Sequence, residues 1–160
     1  MRRGYRRVPR CRDRVEIAPR TPVVGASRRE PVTLSDVPFE VGQRGEARLV
    51  VSDADTAIAM RSGDVPVLAT PRVIALCEEA TVVALAGRLP AGCTTVGMRV
   101  QVDHLQPTCV GGEVVAEAVL EKVEGRRLTF TVSASDDRGL VAAGRVTRVQ
   151  VEVDRFLGKS

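Results

Sequence analysis

The sequence predicts an α+β fold in which a curved antiparallel sheet wraps around one long helix. Three observations carry that expectation. A single stretch, opening at Ala69-Thr70-Pro71 and running to about Ala86, has both the apolar load and the terminal signals of a long helix. One segment before it and four after it alternate apolar and polar residues in the period of a strand. The later strands are joined by tight turns, which pair neighbours antiparallel. Helix and strands are segregated along the chain, as in α+β rather than α/β proteins.

The helix is defined at both ends. Thr70 stands where an N-cap belongs, with a hydroxyl able to accept from a first-turn amide. Pro71 follows at the first helical position, where a missing N–H costs nothing. Gly87 suits the C-terminal stop. Val73, Cys77, Ala80 and Ala84 form one stripe, flanked by Ile74, Leu76, Val83 and Leu85. A helix apolar over so much of its circumference is expected to be buried. It nevertheless carries Glu78 and Glu79 at mid-length, and successive helical residues point about 100° apart. At most one of them can face a given interface, and a glutamate in an apolar setting must be paired, protonated or useful.

The strands follow in order. Gly45 to Ser52 places Ala47, Leu49 and Val51 on one face. Asp53 to Pro66 is polar and reads as a short helical or irregular segment. After the helix and the turn Gly87–Gly92, Thr94 to His104 forms a long strand with Val96, Met98, Val100 and Val102 on one face. Pro107 to Gly112 is a loop, and Glu113 to Val123 is the next strand, turning at Glu124-Gly125. Arg126 to Ser135 sets Leu128, Phe130, Val132 and Ala134 opposite Thr129, Thr131 and Ser133. Leu140 to Val153 is the last strand, with a bulge expected at Gly144, where the alternation changes phase. An apolar sheet face closing over one long helix is the hotdog arrangement.

Totals narrow the function classes. The 160 residues suit one domain and a tail, here residues 38–157 and 1–37. Aromatics are 2% with no Trp, so base stacking on aromatic platforms is not expected and no nucleic-acid partner is called for. The net charge of +4 belongs to the tail: residues 1–30 hold ten arginines against three acids, a balance of +7 that leaves −3 for the rest. That tail reads as disordered or as translated upstream sequence, with a nucleic-acid or membrane-surface arm and an organelle-targeting segment as the functional alternatives. Cys11, Cys77, Cys93 and Cys109 form no C-x-x-C pair, so neither a disulfide framework nor a zinc or other metal site is expected. No apolar run approaches membrane-spanning length and no signal-peptide pattern is present, which points to a reduced, cytoplasmic protein.

Several short motifs, at these separations, resemble one family. Val67-Leu68-Ala69-Thr70-Pro71, then Glu78-Glu79-Ala80, Thr95-Val96-Gly97 and Val102-Asp103-His104 are similar to the hotdog thioesterases related to fluoroacetyl-CoA thioesterase. Gly125-Arg126-Arg127-Leu128 and Gly144 with Arg148 and Phe156 agree, and the resemblance covers about residues 40–157. It implies an acyl-CoA thioesterase with Thr70, Glu78 and His104 catalytic and Gly97 at the substrate. It implies no cofactor beyond the coenzyme A of the substrate itself. Three positions depart from the pattern. The stretch Asp53 to Pro66, where the fluoroacetate-specific member has a phenylalanine-bearing lid, contains no aromatic, which argues against selectivity for a fluorinated acyl group. Pro71 replaces a glycine and offers no N–H to an oxyanion. Val146 replaces a second histidine, so His104 is the only one.

The chemistry is coherent without the family. Coenzyme A thiol resembles a cysteine thiol, with a pKa of about 8.5, and leaves readily as thiolate. A glutamate can attack the carbonyl or act as general base to water, and both roles stay open for Glu78. Packing against Ile74 and Leu85 would raise its pKa, and a protonated His104 nearby would lower it. Thr70 can hold the water, the carbonyl or the carboxylate. Glu79 reads as solvated or ion-paired, with Arg72 or Arg88 in reach, and Cys77 as packing. Eight residues separate Thr70 from Glu78, roughly 12 Å of helical rise. If they share a site, two helices must lie antiparallel across a two-fold axis, giving a homodimer with composite active sites whose dimers could pair again into tetramers. The rivals are a non-catalytic hotdog dimer that binds an acyl thioester or small hydrophobic ligand, and a hydratase, which needs an Asp and a His at the start of the helix.

Overall fold

The computed structural model describes residues 39–158. The expected tail 1–37, Cys11 included, lies outside them. The chain runs β1 (Arg44–Val50), a 3-10 turn (Asp53–Asp55), α1 (Thr70–Ala84), β2 (Cys93–His104), β3 (Glu113–Glu124), β4 (Arg127–Asp136), β5 (Gly139–Glu152) and a short α2 (Val153–Leu157). All five strands form one antiparallel sheet in the order β1-β3-β4-β5-β2. The helix crossover therefore carries the chain from one sheet edge to the other. This is the hotdog fold, with α1 held in the curve of the sheet.

The core is aliphatic, as the composition requires. Val73, Leu76, Cys77, Ala80 and Ala84 of α1 meet Ala116, Ala118 and Leu120 of β3 and Leu128, Phe130 and Val132 of β4, all buried. Small residues let helix and sheet approach closely. Gly45 is the tightest point, since a Cβ there would run into the backbone of Ala80 and Ala84.

Four local expectations are corrected. First, α1 is not buried all round: Val82 is 50% and Val83 45% exposed. With Pro71, Ala75 and Glu79 they form a flank that is exposed among the described residues. Second, the N-cap is Ala69, not Thr70. The Ala69 carbonyl accepts from the amides of Arg72 and Val73, while the Thr70 hydroxyl is engaged elsewhere. Third, Val96, Met98, Val100 and Val102 do not share a face. The register of β2 against β5 slips between Gly97 and Arg99, leaving Met98 as an extra residue. Thr95 and Gly97 face the helix before the bulge, and Val100 and Val102 pack on the core after it. Fourth, the bulge of β5 falls at Val141, between the pairs Ala134↔Ala142 and Ser135↔Leu140. Gly144 pairs regularly with Val102 and Val132. It is glycine for clearance, because a Cβ there would strike the carbonyl of Gln101 and the Cα of Val102.

Candidate active site

Two polar clusters lie along α1. The first sits at its N-terminus. Thr70 Oγ1 is 3.0 Å from Nδ1 of His104, the last residue of β2. The bulge at Met98 brings this about, since it sets His104 in phase with Val100 and Val102 on the inward side. His104 is half-buried. Burial pulls its pKa below the ordinary histidine value, against a smaller upward pull from the backbone of Gln106. Its Nε2 is buried and has no hydrogen-bond partner among the described residues.

A cavity of about 290 Å³ opens beside this pair, lined by Thr70 and His104 and by residues of the 57–68 and 105–107 segments. The base of the 57–68 segment is pinned. The Ala57 amide donates to the Val67 carbonyl at 2.9 Å, and Leu68 donates to Thr108 at 2.8 Å. Arg72 Nε reaches Asp55 Oδ1 at 2.9 Å and ties the 3-10 turn that precedes the segment to the first turn of α1. Arg72 is thus committed to Asp55 and not to Glu79, which is exposed.

The second cluster lies two turns along. Glu78, with 34% of its side chain exposed, has Arg148 Nη1 at 3.5 Å from its Oε1. It also fills the space over Gly97, where a Cβ would collide with Oε1. Arg148 is buried and held on four sides. Its Nε donates to Thr95 Oγ1 at 2.9 Å, its Nη2 to the Thr95 carbonyl at 2.8 Å, and its Nη1 also lies 3.4 Å from Thr81 Oγ1. Burial lowers its pKa and Glu78 raises it, and an arginine stays charged throughout.

The structure therefore joins Thr70 to His104, and Glu78 to Gly97, without joining the two sets within this chain. The cation beside Glu78 is Arg148 rather than His104. Sequence reasoning gave Arg148 no role at the site, although its position carried a signal: it follows the buried Val146 by two residues and so shares the inner face of β5. Cys77 packs in the core, and burial pushes its thiol up to about 11, which keeps it inert. No group of His, Cys, Asp and Glu that could hold a metal ion occurs among the described residues. No helix among them is long and apolar enough to cross a membrane.

Comparison with known proteins places this arrangement. Residues 51–154 match the family model of the fluoroacetyl-CoA-specific thioesterase. The chain is 36% identical over 93 residues to the fluoroacetyl-CoA thioesterase of Streptantibioticus cattleyicolor, covering 58% of this chain and 67% of that one. A solved structure of a fluoroacetyl-CoA thioesterase superposes with a TM-score of 0.72 at 31% identity, over 76% of this chain and 95% of that one. A hot-dog-like protein from Thermanaerovibrio acidaminovorans gives 0.70 at 30% identity, over 76% and 90%. A Thermus thermophilus protein of the thioesterase superfamily gives 0.71 at 26%, over the same shares. The chain belongs to the fluoroacetyl-CoA-specific thioesterase family, a hotdog-fold branch of the acyl-CoA thioesterases.

Proposed function

We propose that this chain hydrolyses an acyl-CoA thioester to the free acid and coenzyme A, with Glu78, His104 and Thr70 catalytic and Gly97 at the substrate. The observation that carries the reading is the hydrogen bond between Thr70 and His104 at the wall of a cavity able to take an acyl group. A neutral His104 that donates from Nδ1 to Thr70 Oγ1 leaves the threonine's own proton free to point at the thioester carbonyl. Pro71 contributes no amide and the Arg72 and Val73 amides go to the Ala69 carbonyl, which leaves the Thr70 hydroxyl as a donor for the oxyanion at this helix end.

Glu78 supplies the other half. Either its carboxylate attacks the carbonyl carbon and expels coenzyme A thiolate, leaving an anhydride that water cleaves, or it takes a proton from the attacking water. Arg148 keeps the carboxylate oriented over Gly97. The separation of the two clusters favours a composite site in a two-fold homodimer, in which the partner's helix runs antiparallel and completes each centre. The uncovered flank of α1 at Ala75, Glu79, Val82 and Val83 is the surface such a partner would need.

The deciding experiment is thiol release from an acyl-CoA panel by wild type beside Glu78→Gln and His104→Ala. Both variants should fall by orders of magnitude, and tight binding of the ester without thiol release would favour a non-catalytic binder. Mixed Thr70→Ala and Glu78→Gln chains should regain one intact site per heterodimer; no recovery after subunit exchange would sink the composite site. Residues 38–157 form the proposed catalytic domain, so a chain lacking residues 1–37 should hydrolyse the same esters at the same rate.

A further inference from the structure

We propose that the cavity beside Thr70 and His104 takes an uncharged, apolar acyl group of about six to eight carbons, a size set by the room an apolar cavity gives a benzene ring. The inference rests on the thioesterase reading and names its substrate class. An apolar cavity of about 150 Å³ is enough to hold benzene. Here the space is about 290 Å³, which leaves room for such a group beside the thioester carbon itself. A two-carbon acyl group would leave most of it to water.

The walls set the chemistry. Ala57, Val65, Val67, Leu68, Leu105 and Pro107 supply aliphatic surface, the polar lining is Ser62 and Gln106 beside Thr70 and His104, and no Lys, Arg, Asp or Glu lines the space. Val65 is 50% and Leu105 55% exposed, so apolar surface at the cavity is not covered by the other described residues of the chain. An apolar acyl group would bury it, contributing through area removed from water. Of the cations around the space, Arg72 is committed to Asp55 and Arg138, which reaches the Pro107 carbonyl, to Asp136. Arg61, next to Ser62, is exposed, is in no ion pair among the described residues and is not part of the wall. An acyl group ending in a carboxylate would find no counter-charge on the wall. The volume follows from what the 57–68 segment lacks: Ala57, Gly63 and Val65 stand where larger side chains would fill the space. The backbone bonds at the base of that segment make the opening a fixed feature of the fold.

The test uses the full chain and measures kcat/KM for thiol release from acetyl-, butyryl-, hexanoyl-, octanoyl-, benzoyl- and succinyl-CoA. Hexanoyl- or benzoyl-CoA should exceed acetyl-CoA at least tenfold and succinyl-CoA at least a hundredfold. Val65→Phe, which adds a ring to the cavity wall from an exposed position, should lower the hexanoyl-to-acetyl ratio tenfold or more. Acetyl- or succinyl-CoA as the best substrate, or a ratio that Val65→Phe leaves unmoved, would overturn the assignment while leaving a thioesterase. No thiol release from any ester would overturn the thioesterase reading and this inference with it.

Discussion

Glu78 occupies the space that a side chain at residue 97 would need: its Oε1 lies within collision distance of a Cβ built on Gly97. Gly97 has no positive φ, so its role is clearance and not backbone freedom. Gly97→Ala should therefore fold, because the obstacle is the far end of a flexible side chain. The carboxylate must move, and a misplacement of about 1 Å at a reacting group can cost about a hundredfold in rate. The expected result is an unchanged melting temperature with kcat/KM for thiol release down by about that factor. A fully active Gly97→Ala would remove Glu78 from the chemistry.

Arg148 holds that carboxylate from the other side. Arg148→Lys keeps the charge but cannot reproduce the fork that spans Thr95 and Glu78. It should lose activity at least tenfold while retaining most of its stability. Arg148→Met fills the volume but strands the Thr95 carbonyl, and should cost about 2 kcal/mol in urea unfolding. Equal activity in wild type and Arg148→Lys would reduce the arginine to a point charge.

The elements were legible because they rest on sums over many residues. The stripe Val73, Cys77, Ala80 and Ala84 and the alternation of Leu128, Phe130, Val132 and Ala134 are each buried as the pattern predicts. The bulges at Met98 and Val141 were not legible, because one inserted residue leaves composition untouched and shows only in the partner's register. Thr70 was misread for a related reason. A threonine before a proline is a good cap by local rules, and only the distant end of β2 supplies the competing partner. The exposed flank of α1 likewise follows from the sheet's closing on one side of the helix, which no window of sequence reports.

Two glycines separate clearance from conformation. Gly144 has backbone against it on the neighbouring strand, and Gly144→Ala should destabilise by about 3 kcal/mol, since backbone cannot rotate aside as a side chain can. Gly87 has open space around its missing Cβ but a φ of +71°. Gly87→Ala should cost about 1 kcal/mol, the strain of a left-handed residue alone. Urea unfolding of both variants checks the order, and a larger loss at Gly87 would contradict the packing of β2 on β5.

His104 is the only histidine in the chain, so its imidazole titration can be followed without assignment. Burial favours the neutral ring, which puts the folded pKa below the model-peptide value of about 6.5. As pH falls through about 6.5, the unfolded chain takes up a proton before the folded one does, and stability declines over that window. Its contribution is whole above about 6.5 and gone once pH passes below the folded pKa. His104→Asn should flatten the dependence between neutrality and the range where carboxylates begin to titrate. Imidazole nitrogen shifts report the same site directly, should show a neutral ring, and identify which nitrogen carries the proton beside Thr70. A ring that titrates above the free value, or stability that rises as pH drops toward 5, would mean that the imidazolium is the favoured form, and that the hydrogen bond to Thr70 serves a charged partner.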